Sequence, residues 1–151
     1  MIIEKELIKT LKKLLGTKVT YSRAGGGMSS ILLMKFSNCL SLWCWRYWEI
    51  SQRDILLSTS EDDDTPITGT MAKVASLMEN KSVIGFDLDP ENDYQLWLCF
   101  DDDLDLILFP EYEKRKRFKR VINWELEDNP CKRSYIITSE LKLIKNTEKF
   151  E

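Results

Sequence analysis

The sequence predicts an α+β fold dominated by antiparallel β meanders, with an N-terminal helix and one mid-chain helix. Three observations carry this. The hydrophobic period is near 3.6 at the start and again in mid-chain, and near 2 almost everywhere else. The links between neighbouring strand-like runs are too short for parallel crossovers. The two halves of the chain also match at one fixed shift.

The elements follow in order. Ile3, Leu7, Leu11, Leu14 and Leu15 recur at spacings of three and four. That predicts an amphipathic helix over residues 2–15, closed by Gly16. Residues 17–23 read as a strand, 24–27 as a turn through Gly25-Gly26-Gly27, and 28–36 as the returning strand. Residues 40–45, 48–50 and 54–58 continue the strand pattern. The run Glu61-Asp62-Asp63-Asp64-Thr65-Pro66 interrupts it. A helix follows over residues 67–78, with Met71, Val74, Ala75 and Met78 on one face. Strands resume at 81–88, 94–100 and 104–109, and Pro110 ends that series. Further strands are expected at 121–126 and 134–138, with a last short element at 141–144.

The shift that carries Val19 onto Val83 also places Leu32 on Leu96, Met34 on Leu98, Phe36 on Phe100, Leu40 on Leu104 and Leu42 on Leu106. These positions alternate, as one buried sheet face requires. Each half closes on a similar triplet, Trp48-Glu49-Ile50 and Trp124-Glu125-Leu126. The triplets stand further apart than the shift, so the second half has an insertion. The expectation is one domain over 1–151 with an internal repeat, about 2–58 and 67–126, and a C-terminal extension over 127–151. Paired copies would form a curved sheet or half-barrel. Ile31, Leu33, Trp43, Trp45, Trp97 and Ile107 alternate with the core set, so any left uncovered would be an interaction patch.

The chain has 151 residues, enough for one core and too few for two. It contains no histidine. That excludes Ser-His-Asp and Cys-His catalysis and histidine-ligated metal sites. The net charge of −3 is not that of a polycation built for nucleic acid. Cys39, Cys44, Cys99 and Cys131 show no CxxC spacing and read as buried, reduced thiols. The stretch from Met1 to Leu15 carries Glu4, Lys5, Glu6, Lys9, Lys12 and Lys13 in place of a continuous apolar run, and no run is long enough to span a membrane. The expectation is a soluble, cytoplasmic protein without a cofactor.

Charge is segregated along the chain. The segment 1–36 holds seven basic side chains and two acidic ones. Between positions 87 and 113 there are ten acidic side chains and no basic one. Turn chemistry accounts for part of this, since Asp favours hairpin tips. Carboxylate tips can also dock a basic partner and speed its association. The candidate contacts are Asp101, Asp102, Asp103 and Asp105, with Glu61, Asp62, Asp63 and Asp64 as a second group. A divalent-metal hydrolase built on the carboxylates of 87–105 is the weakest alternative, because the calcium-loop likeness lacks the central glycine and the twelfth-position glutamate. The dense basic run Lys114, Arg115, Lys116, Arg117, Phe118, Lys119, Arg120 is the alternative nucleic-acid contact. The triple glycine is not a phosphate loop, because no Gly-Lys-Ser/Thr follows and the next element is a strand.

The segments Leu14-Leu15-Gly16-Thr17-Lys18-Val19, Trp48-Glu49-Ile50, Asp105-Leu106-Ile107-Leu108-Phe109-Pro110 and Asn123-Trp124-Glu125-Leu126, in that order, form a recurring pattern. With them the chain resembles small bacterial immunity-like proteins encoded beside polymorphic or contact-dependent toxins. The resemblance spans residues 14–126 and brings no catalytic residue. It implies a non-enzymatic binder that covers a toxin's active site or an essential surface, and acidity suited to a basic nuclease toxin.

Overall fold

Leu7, Leu11 and Leu14 are fully buried, and this stripe holds the first helix, α1 (Ile2–Lys12), on the core. The chain leaves the helix through tight turns and reaches Gly16 at φ +83°, the left-handed conformation that glycine adopts without strain. The computed structural model describes residues 2–114 and 122–148. The strands that follow are β1 (Val19–Arg23), β2 (Leu32–Phe36), β3 (Leu40–Cys44), β4 (Trp48–Gln52) and β5 (Ile55–Thr59). After the second helix, α2 (Thr70–Leu77), come β6 (Val83–Asp89), β7 (Gln95–Phe100), β8 (Leu104–Leu108), β9 (Ile122–Asp128), β10 (Arg133–Thr138) and β11 (Leu143–Asn146). Residues 26–28, expected as turn and strand, form a single 3-10 turn, entered through Gly25 and Gly26, which both take positive φ.

The strands form two antiparallel sheets around a shared core. One has six strands in the order β1-β2-β3-β9-β10-β11, and the other has five in the order β5-β4-β8-β7-β6. Each meander is therefore completed by strands from the other half of the chain. After β3 the backbone crosses to the second sheet, where β4 pairs with β8. After β8 it returns, and β9 pairs with β3. The core joins alternate residues of both sheets, such as Met34, Leu42, Leu98 and Leu106, with Met71 and Ala75 of α2. The helices sit at the margins, α2 against β1 and β5, α1 against β11.

The shift that aligns the two sequence halves also aligns their registers. Val19 pairs with Phe36 and Val83 with Phe100. Each ladder then slips by one position before Tyr21 pairs with Lys35 and Gly85 with Cys99. Leu33 faces Trp43, and Trp97 faces Ile107. Cys44 pairs with Trp124, and Leu108 with Trp48. Both tryptophans are buried, and each indole donates to a backbone carbonyl, Trp48 to Ser30 at 2.8 Å and Trp124 to Tyr94 at 3.1 Å.

The halves meet at a seam of reciprocal backbone bonds. Gly16 N donates to Val83 O at 2.8 Å, and Asn80 N donates to Val19 O at 2.7 Å. Val19 N donates to Lys81 O, and Val83 N to Thr17 O, both at 2.9 Å. Exchanging the halves leaves this pattern unchanged. The bridge at its centre joins Lys18 to Ser82, which are equivalent to each other under the same shift.

Because β4 and β5 complete the second sheet, neither half can build its own. Fragments 1–64 and 65–151, made separately, should each give a collapsed amide NMR spectrum and should refold into one dispersed 1:1 complex when mixed. Dispersed resonances from either fragment alone would contradict this topology.

One ion pair ties the end of the first helix to the β9–β10 turn. Lys13 Nζ lies 2.8 Å from Asp128 Oδ2, and Asp128 is 1% exposed. Burial pushes the Asp128 carboxyl up. The bond and charge from Lys13 and the backbone N–H of Cys131 outweigh it, so the group titrates below the usual carboxylate range. A carboxyl depressed in the folded state stabilises above its unfolded pKa of about 4, and the contribution fades as pH falls through the folded value. Asp128→Asn should therefore cost on the order of 1–3 kcal/mol at neutral pH. The difference from wild type in urea unfolding should shrink towards zero near pH 2. A penalty unchanged at pH 2 would show that the charge is not responsible.

Candidate functional site

In the five-stranded sheet, side chains paired across the strands share a face. The buried side takes Trp48, Ile50, Leu98, Leu106 and Leu108. The opposite side takes two rows. One runs Thr59, Glu49, Ile107, Trp97, Asp87 and the other Leu56, Ser51, Asp105, Cys99, Gly85. Trp97 is 41% exposed and Leu56 53% exposed. Ile84 emerges beside them at the β6 bulge, 65% exposed. Glu49, Asp87 and Asp105 stand in the same rows, which contain no lysine or arginine. The arrangement is an aromatic and aliphatic centre flanked by carboxylates.

Two titratable groups, Tyr47 and Cys99, lie among these carboxylates. Tyr47 Oη donates to Glu49 Oε1 at 3.0 Å. Burial, that bond, and the charges of Glu49 and Glu61 push its phenol up. Burial raises the Cys99 thiol as well, and the carboxylates of Asp105 and Asp87 raise it further. Glu61 thus lies at one end of the face and Asp105 within it.

The other acidic candidates are engaged locally. Asp101 Oδ1 accepts from Ser82 N at 3.1 Å, which pins the β7–β8 turn to the seam. Asp102 pairs with Lys81, and Asp103 pairs with Arg53 at 3.2 Å. Those two side chains remain 58% and 70% exposed, so they border the face as a charged rim. Asp62 Oδ2 accepts from Ser58 Oγ and Thr59 N, and Asp63 Oδ1 accepts from Thr65 N and Thr65 Oγ1. Asp64 uses its backbone carbonyl, which accepts from Gly26 N at 2.7 Å.

The two acidic groups stand at opposite ends of β5. The β4–β5 turn bonds to the β7–β8 turn through Arg53 N and Asp103 O, whereas residues 61–64 follow the far end of the strand. The outer face of the sheet joins them. Glu49 was not among the sequence candidates. Trp97 was, as part of a patch that would bind if left uncovered, and Asp87 only among the 87–105 carboxylates of the metal alternative. The signal for Trp97 was its alternation with the core set. The signal for Asp87 was the run of acids without a base.

Among the described residues no three Cys, Asp or Glu side chains converge as metal ligands, those of 87–105 included. Of the basic run, only Lys114 lies within the described residues, and 115–120 lie outside them. No helix among the described residues is long and apolar enough to cross a membrane. All four cysteines are free, but Cys39 and Cys131 are exposed, contrary to the expectation of buried thiols, because both occupy turns at strand ends. No family model, curated protein or solved structure matches the chain.

The carboxylates near Cys99 should slow its alkylation in addition to burial. In a Cys39→Ser/Cys131→Ser background, with Cys44 buried, Cys99 should alkylate slowly near pH 8.5. Asp105→Asn should speed it by about threefold or more, because removing a neighbouring negative charge favours the thiolate. An unchanged rate would show that burial alone controls the thiol.

Proposed function

We propose that this protein is a non-enzymatic binding protein that docks a basic protein partner on the outer face of its five-stranded sheet. The observation that carries the reading is the exposed Trp97 set between Asp87, Glu49 and Asp105. An exposed aromatic centre supplies contact area once water is excluded, and flanking carboxylates select and steer a partner rich in lysine and arginine. Asp102, Asp103 and Glu61 form the rim. Taken with the resemblance to immunity-like proteins, the partner is a bacterial toxin domain, met in the cytoplasm of the cell that makes both. A toxin that acts on nucleic acid presents a basic surface, and an acidic sheet can cover it by imitating phosphates. Nucleic-acid contact through Lys114 and residues 115–120 is the second reading. It gains no support from the sheet, whose carboxylates would repel a phosphate backbone.

The test is growth rescue in a host expressing the C-terminal domain of the neighbouring upstream gene product. Wild type should protect. Trp97→Ala should raise the dissociation rate, by roughly 30-fold if the tryptophan is a binding hot spot. Glu49→Lys with Asp87→Lys should slow association and remove its dependence on salt. Protection that survives all three substitutions, or a toxic neighbour that is not neutralised, would overturn the proposal.

A further inference from the structure

On a different part of the molecule, α2, the loop before it and the glycine turn after β1 enclose an open cleft of about 540 Å³. That is the size of a small-molecule site. Its chemistry is opposite to that of the acidic sheet. Arg23 and Lys73 stand on its walls with Tyr21, and Pro66, Ile67 and Ala72 supply apolar surface.

Among the described residues Lys73 carries a free charge, and Arg23, ion-paired to Glu79, keeps free donors. Arg23 uses Nη1 for its bonds to Ser22 O and Glu79 Oε2, both at 2.8 Å, which leaves the other guanidinium nitrogens without a hydrogen-bond acceptor among the described residues. Lys73 is exposed and has no ion pair among the described residues. Arg23 and Lys35 lie 4.8 Å and 5.1 Å from the Tyr21 ring centroid, which concentrates positive charge at this edge of the sheet.

The apolar wall is independently unusual. Ile67 is 85% exposed and takes φ +66°. A β-branched side chain in the left-handed region is a genuine outlier, and this one is strained while presenting its side chain to water. A ligand covering Ile67 would remove the second of these costs. Gly25 and Gly26 give the floor its shape. A Cβ on Gly26 would come within 3.3 Å of Pro66, whereas a Cβ on Gly27 would meet nothing within 4 Å.

We infer that this cleft binds a small organic anion with an apolar body, its anionic group between Arg23 and Lys73 and its body against Pro66, Ile67 and Ala72. Neither charge alone nor apolar surface alone accounts for the two walls together.

The experiment is a ¹⁵N–¹H correlation titration of the full chain with 2-naphthoate, and in parallel with inorganic phosphate and with neutral 2-naphthalenemethanol. Saturable shifts at the amides of Gly25, Gly26, Gly27, Ala72 and Lys73 are expected with 2-naphthoate, with much weaker responses to the other two probes. Lys73→Glu should weaken 2-naphthoate at least tenfold. Gly27→Phe should abolish binding by filling the cleft. The spectra of both variants also report whether they fold. Absence of saturation at millimolar 2-naphthoate, phosphate binding as tightly as 2-naphthoate, or folded variants that bind like wild type would each overturn the assignment.

Discussion

Four backbone hydrogen bonds between segments 16–19 and 80–83 organise this molecule. They bring the end of each helix connection against the first strand of the opposite half, and the bridge between Lys18 and Ser82 holds the edges of the two sheets together. Once β1 and β6 are placed, each meander can grow in only one direction. Its last strand, β3 or β8, is left with an open edge. An open edge with unpaired N–H and C=O groups is a liability, and β9 and β4 close these two. Trp48 and Trp124 are the side chains that this exchange delivers to the core, each fastened by its indole to a carbonyl just before β2 or β7.

The elements were legible because they rest on local pattern. Leu7, Leu11 and Leu14 announce a helix, and the alternation from Leu32 to Cys44 announces a hairpin. The shift from Val19 to Val83 was legible too, and the coincident slips at Tyr21 and Gly85 show how far its structural counterpart extends. The strand exchange was not legible. Leu42 pairs with Leu126 across more than half of the chain, and nothing in the Trp-Glu-aliphatic triplets says which sheet each one enters. Both triplets satisfy the same alternation, and the choice between them is made by the seam.

The candidate site was legible in charge and only partly in position. The run of acids between positions 87 and 113 pointed to the five-stranded sheet that carries the candidate site. It could not separate structural carboxylates from outward ones. Asp101 and Asp62 bond to the backbone, whereas Asp87 and Asp105 share the outward rows with Trp97. Deciding between those roles requires knowing which residue each side chain faces across a ladder. The cleft was less visible still, because its walls come from β1 and from the loop at Pro66 and Ile67, which meet only after folding.

The surfaces of the two halves differ while their registers match. Core equivalents keep their character, as Val19 and Val83 or Phe36 and Phe100 do. Outward equivalents do not. The position held by Arg23 in the first half is held by Asp87 in the second, and Lys35 corresponds to Cys99. Gly25 corresponds to Asp89 and Gly26 to Pro90, so the turn that shapes the cleft in one half is an acid-flanked proline turn in the other. Packing constrains a buried position from every side, whereas an outward position is constrained only by what binds there. Different charges at equivalent backbone positions, Arg23 against Asp87 above all, therefore place a basic edge and an acidic face on one scaffold. The two surfaces carry opposite charge and can be altered separately.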